Sequence, residues 1–315
     1  MIKVTVGITT YNLEKYVGQC LDSILMQKTN FDFKILIVDD ASADNTVKII
    51  QDYKLKFPDK IDLIAREQNA GSLVASNQLF DNIKTEYFSF IDGDDYWIGE
   101  DRLQEAIDFL DNNPKYTMYA GNTIYIKNNK FAEKVIKEEY LNKSYTYKDY
   151  IFEKCPFVHT SAIVLRNIIY KNGIPQIYKD NEYTIYNCAF RGEDIRFIEH
   201  LKRGDIYVCD KTFSAYRIHS CGLWQGSSSF KQILENAIAN LVYMEMYQED
   251  LYKKRFLNLY SRIFNILIDE KNITYKYQLP ENEHNLLMGL LDELNKKNID
   301  WENLPREKNK KIKKI

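Results

Sequence analysis

The stretch from Phe88 to Trp97, FSFIDGDDYW, sets three carboxylates, Asp92, Asp94 and Asp95, around one glycine at the end of an apolar run. Carboxylates this close repel one another and are costly to desolvate, so a cation or several hydrogen-bond donors must offset them. Hard oxygen ligands of this kind suit Mg2+ or Mn2+. The blander alternative is an acidic turn in which Asp95 and Asp101 merely favour the N-terminus of a helix starting near Asp101. Two further acidic pairs stand at comparable places. Asp39-Asp40 closes the apolar run from Phe33 to Val38, and Glu193-Asp194 follows Gly192 ahead of a helical pattern from Ile195 to Leu201.

Positioning these groups requires a scaffold, and the hydrophobic pattern supplies one. Lys3 to Thr9, Phe33 to Val38, Ile61 to Ala65 and Tyr87 to Ile91 read as strands. The helical spacing of Tyr16, Leu21, Ile24 and Leu25, of Val47, Ile50 and Tyr53, and of the residues after Asn69-Ala-Gly71 to about Asn82 fills the gaps between them. Ser42 or Asp44 is expected to cap the second helix. Strands alternating with helices at this spacing predict an α/β fold, a mainly parallel sheet with helices on both faces. Each strand then ends in a polar loop, and the loops gather along the sheet edge where open α/β sheets bind ligands.

Several function classes are excluded. The first strand-to-helix turn carries Thr9-Thr10-Tyr11-Asn12 where a dinucleotide-binding chain needs Gly-x-Gly-x-x-Gly. No Asp follows the first strand, as a phosphatase nucleophile of the Asp-x-Asp-x-Thr kind would require. With 43 basic and 45 acidic residues the charge nearly balances, and nothing argues for nucleic acid as a partner. Cys20, Cys155, Cys188, Cys209 and Cys221 are odd in number and form no Cys-x-x-Cys, which reads as reduced thiols in a cytoplasmic protein. The N-terminus reads as a first strand and not a signal peptide, and no window is apolar enough to span a bilayer.

Taken together, Ile8 to Asn12, Val38 to Thr46, Asn69 to Gly71, Ile91 to Asp95 and Gly192 to Asp194 resemble glycosyltransferase family 2, whose catalytic domain has the GT-A fold. The resemblance covers about residues 1–225. It implies a nucleotide-diphosphate sugar donor, UDP-linked by preference, because Asp39 would accept a hydrogen bond from the base imide while Thr9 and Tyr11 line the base pocket. Asn69 and Gly71 would belong to the same donor site. Asp92 would hold the ribose or a metal-bound water, and Asp94 would ligate the Mn2+ or Mg2+ that neutralises the diphosphate. His219, in Tyr216-Arg-Ile-His219, would join that metal from a mobile loop containing Gly222 and Gly226. Asp194 would be the general base, with Glu193 positioning the acceptor, which implies single displacement with inversion. Asp95 is a weaker candidate than its neighbours.

This chain also departs from the pattern. Ala75-Ser76-Asn77 stands where many relatives have Ala-Arg-Asn, so a cation near the nucleotide is missing, with Arg66 as a candidate substitute. A processive synthase would carry Gln-x-x-Arg-Trp and membrane helices, so transfer of one or a few sugars is expected, to a glycan or lipid-linked acceptor of a bacterial surface polysaccharide. The alternative is a catalytically weak GT-A-like protein that binds glycans or serves as a scaffold. A nucleotidyltransferase would need a Gly-rich, Arg-containing N-terminal loop that is absent.

The expected organisation is a catalytic domain over 1–225, a helical region over 226–305 and a basic, disordered tail over 306–315. His159 is read as a hydrogen-bonded residue beside the acceptor cleft, and His200 and His284 as surface residues. The stripes Ile233, Ala237, Leu241, Met244 and Phe256, Leu259, Tyr260, Ile263, Leu267 read as core. A homodimer or acceptor surface built on exposed Tyr243, Tyr247 and Tyr252 is the sharper alternative. The lysine-rich tail either solubilises the chain or holds it peripherally on the inner face of an anionic plasma membrane.

Overall fold

A computed structural model describes residues 2–127, 130–219, 222, 224, 226–268 and 279–297. The expected tail lies outside them, as do Cys221 and part of the loop after His219. In chain order, β1 (Val4–Thr10), α1 (Val17–Leu25), β2 (Phe33–Asp39), α2 (Thr46–Lys56), β3 (Ile61–Ala65), α3 (Ser72–Asp81) and β4 (Tyr87–Asp92) alternate. The strands β3, β2, β1 and β4 lie side by side and all parallel. Val4, Val6 and Ile8 of β1 are fully buried. A central parallel strand is covered on both faces, which is why its sequence is apolar almost throughout and does not alternate cleanly.

Beyond β4 the chain forms β5 (Tyr96–Trp97), α4 (Arg102–Asn112), β6 (Tyr116–Lys127), β7 (Lys130–Lys134), β8 (Lys143–Tyr145), α5 (Tyr147–Ile151), β9 (Ile163–Arg166), α6 (Gln176–Asp180), α7 (Asn187–Arg191), α8 (Glu193–Leu201) and β10 (Asp205–Ile218). β9 inserts antiparallel between β4 and β6, and β10 pairs parallel with β6, so the sheet continues as β3-β2-β1-β4-β9-β6-β10-β5. The last residues of β10 carry Tyr216 and Arg217, with His219 just beyond the strand. The second helix is capped differently from expectation: Asn45 is the N-cap residue and makes no side-chain cap. Asp44 instead accepts from the Thr46 amide and hydroxyl, while Ser42 turns toward Asp39.

The chain divides into two compact units, Met1–Asp180 with Glu193–His219, and Asn181–Gly192 with the described part of Ser220–Ile315. In the second, α9 (Ser229–Tyr247), α10 (Asp250–Ile268) and α11 (Glu281–Lys296) share a core of Phe230, Leu234, Ile238, Phe256, Ile263 and Leu290. The stripes read as core are core. Tyr243 and Tyr252, exposed only in the alternative surface reading, are buried: their rings pack at tilted angles against Tyr247, and the Tyr243 hydroxyl donates to the Ala189 carbonyl at 2.6 Å. His200 is likewise buried, its Nδ1 2.6 Å from the Arg196 carbonyl and its ring against Phe88, because that face of α8 turns to the sheet. His284 is exposed. Among the described residues no helix is long and apolar enough to cross a membrane.

Candidate active site

The loops after β1 and β2 are laced together by side chains. Asp39, fully buried at the end of β2, accepts from the Thr10 hydroxyl (2.7 Å), the Ser42 amide (2.8 Å) and the Ser42 hydroxyl (2.6 Å). A carboxylate offers about four acceptor positions, so little remains for a ligand. The adjacent Asp40, to which the sequence reading gave no role of its own, ties down the third loop. It accepts from the amides of Ala70 (3.1 Å) and Gly71 (2.8 Å), and Arg66 Nε lies 3.0 Å from it. Asn69 donates to the Asp40 carbonyl at 3.1 Å. Arg66, the candidate substitute cation, is thus engaged in holding this loop and also donates to Gln78 at 2.7 Å. Gly71 starts α3 with φ +92°, a backbone that a side chain would strain. Thr9 is partly exposed and Tyr11 half exposed beside these loops.

At the end of β4 the carboxylates are drawn in tightly. A Cβ on Gly93 would meet Thr10 Cγ2 at 2.7 Å and Leu13 Cδ1 at 3.0 Å, so only glycine lets this turn lie against the end of β1. Burial, with the neighbouring charge of Asp94, raises the Asp92 carboxyl to about 7. Burial also raises Asp95 well above the carboxylate range, again reinforced by Asp94 and Asp92. Asp95 accepts from the Arg217 amide (3.1 Å) and the Ser161 hydroxyl (3.2 Å), which fix it as a brace behind the other two. Asp94 points the other way. His219 Nε2 is 2.8 Å from its Oδ2, and the Arg217 guanidinium donates to its carbonyl and to Gln19 while lying over Tyr16 and Tyr96.

The expected ligand set Asp92, Asp94 and His219 is gathered only in part. Among the described residues no group of three or more His, Cys, Asp or Glu side chains is preformed for a metal, because Asp94 and His219 are turned to each other. The donor chemistry still fits a hard divalent ion: two carboxylates whose charges oppose each other, and an imidazole whose buried Nδ1 has no hydrogen-bond partner.

Across from Asp92 stands the start of α8. The Thr160 amide donates to Glu193 Oε2 at 3.1 Å, and burial, with Asp194 beside it and Asp92 further off, pushes the Glu193 carboxyl up to about 8. Asp194 is exposed in the same helical turn. Arg196, one turn on and buried over Phe80 and Phe90, opposes the rise of both Asp92 and Glu193. It supplies a cation next to the carboxylates, and its place among apolar helix residues hid it in the sequence. His159 is buried, with Nδ1 2.6 Å from the Ser161 hydroxyl, and burial lowers it to about 4, so it is a neutral hydrogen-bonding group at pH 7.

Comparisons with known proteins place the chain in a family and a fold. The family model described as glycosyl transferase family 2 matches residues 5–173, more than half of the chain. The chain belongs to glycosyl transferase family 2. A putative teichuronic acid biosynthesis glycosyltransferase of Bacillus subtilis is 29% identical over 222 residues, covering 69% of this chain and 76% of that protein. An uncharacterized protein of Mycobacterium tuberculosis is 25% identical over 223 residues, again 69% of this chain, which spans only 59% of that relative's length. Among solved structures, S. aureus TarS in complex with UDP-GlcNAc matches with a TM-score of 0.57 at 18% identity, over 90% of this chain and 78% of that one. A Pyrobaculum calidifontis mannosyltransferase in complex with GDP-Man and Mn2+ matches with 0.54 at 14% identity, over 94% and 81%. These likenesses establish the GT-A fold for the family 2 chain.

Proposed function

We propose that this family 2 protein is a metal-dependent, inverting glycosyltransferase that moves a sugar from a UDP-linked donor to a hydroxyl of a glycan or lipid-linked acceptor in bacterial surface polymer synthesis. The observation that carries the reading is the opposition of Asp92 and Asp94, at the end of β4, to Glu193 and Asp194 at the start of α8. Donor and acceptor chemistry need such facing acidic groups. The UDP preference and the polymer class are supported by the TarS complex and by relatives named for teichoic and teichuronic acids.

Thr9, Tyr11, Asp39, Asn69 and Gly71 form the nucleotide end of the site, with Asp39 acting through the loops it fixes as much as through the base. Asp94 and His219, with Asp92 beside them, would hold Mn2+ or Mg2+, which when bound offsets the charge of the departing diphosphate. Asp194, exposed at the start of α8, takes the proton of the acceptor hydroxyl as that hydroxyl's oxygen bonds to the anomeric carbon. The bond from that carbon to the diphosphate breaks on the opposite side, inverting the configuration. Glu193, its carboxyl raised to about 8 and so protonated at pH 7, donates a hydrogen bond that orients the acceptor. Arg196 keeps the facing carboxylates from repelling one another into a wider opening.

Incubation with a panel of UDP-sugars and Mn2+ tests this by release of UDP. Asp194→Asn should lower acceptor-dependent release at least a hundredfold while UDP binding persists. Wild-type release by that variant would assign the base elsewhere.

A further inference from the structure

Outside the residues already given roles, one feature of the first unit bears on what the acceptor is. Tyr125 of β6 and Tyr216 of β10 are register partners, their rings 5.7 Å apart and edge to face. Two residues earlier on the same faces, Thr123 and Ser214 are paired and their hydroxyls lie 2.8 Å apart. Ser161 reaches both Ser214 and Asp95. The tyrosines thus form the next row outward from the polar row that braces the carboxylates. His159 lies 4.5 Å from Tyr216, and Phe157, 52% exposed, meets the His159 ring edge-on at 6.5 Å. Thr160, next to His159, holds Glu193.

We propose that Tyr125, Tyr216 and Phe157 form an aromatic platform that receives the C–H face of a neutral pyranose ring of the acceptor beside Glu193. This rests on the transferase reading above. Aromatic rings offer an apolar face with a polar tip, which matches a sugar whose ring hydrogens point one way and whose hydroxyls point outward. The hydroxyls at the sugar's edge then meet Glu193 and the tyrosine hydroxyls. The local charge selects between acceptor chemistries. The Glu133 carboxylate bears on Tyr125, so a repeating phosphate placed there would be repelled and a neutral ring would not.

Saturation-transfer NMR tests the platform on the full chain with UDP and Mn2+ present. The probes are methyl β-glucoside, β-galactoside, α-mannoside and β-N-acetylglucosaminide, with glycerol 3-phosphate as the anionic comparison. UDP binding is read calorimetrically on the same samples, and folding by thermal unfolding. At least one pyranoside should show transfer to its ring hydrogens, falling fivefold or more in Phe157→Ala and in Tyr125→Leu and returning in Tyr125→Phe. Intact UDP binding with no pyranoside signal would overturn the platform and leave the transferase reading standing. So would glycerol 3-phosphate binding that competes with the pyranosides, or pyranoside signals unchanged in both variants. Loss of UDP binding in the wild-type chain would overturn both.

Discussion

Replacing Glu193 by Gln should make the protein more stable, increasingly so as pH rises. Glu193 is raised from 4.5 to about 8, chiefly by burial. Between those two pH values the folded protein keeps a proton that the unfolded chain has lost. Stability therefore falls as pH increases, by about 1.4 kcal/mol per pH unit, or at most ~5 kcal/mol across the interval. The carboxyl retains some contact with water and the site can relax, so about half of that, 2–3 kcal/mol, is the expected gain for Glu193→Gln at pH 9. At pH 4 both side chains are neutral and the gain should vanish. Gln can still accept from the Thr160 amide, so the comparison isolates the charge. Urea unfolding of both proteins at pH 4, 6, 7.5 and 9 measures the difference. A gain that does not grow with pH, or a variant less stable than wild type at pH 9, would refute the reasoning.

Two other substitutions test how the site is supported. Arg102 is fully buried over Trp97 and donates to the Ser161 carbonyl at 2.7 Å, so Arg102→Ala should cost about 3–5 kcal/mol in chemical unfolding. A loss below 1 kcal/mol would mean that this buried cation does not organise the Ser161 to Asp95 chain. Ala41, in the loop after Asp40, has φ +63°, where a side chain costs about 1–2 kcal/mol. Ala41→Gly should leave thermal stability unchanged or raise it by up to about 1 kcal/mol despite the added backbone entropy; a clear loss would contradict the strain.

Much of the loop cluster at the strand ends was legible in the sequence because its residues sit where local rules are strongest. Buried parallel strands announce themselves by apolar runs, Asp39 and Asp92 to Asp95 stand at the strand ends, and Gly71 marks the start of a helix. What escaped depends on tertiary context. Asp40 looked like a duplicate of Asp39, and its hold on Gly71 spans loops that periodicity does not join. Arg196 and His200 sit within a short helix whose polar residues turn inward to the sheet, against the habit of charged side chains. Tyr243 and Tyr252 stayed open to a surface reading because a tyrosine hydroxyl suits water as well as a buried carbonyl. The antiparallel insertion of β9 was also invisible, since a four-residue apolar strand carries no mark of its direction.

The measurement that tests the central claim most directly is calorimetric titration of UDP into the purified protein, first with Mn2+ and then with EDTA, beside GDP, dTDP and CDP. The account predicts saturable UDP binding that Mn2+ supports, that EDTA weakens at least tenfold, and that Asp94→Ala weakens to a similar degree. A folded protein that binds none of the four nucleotides, with or without Mn2+, would contradict it.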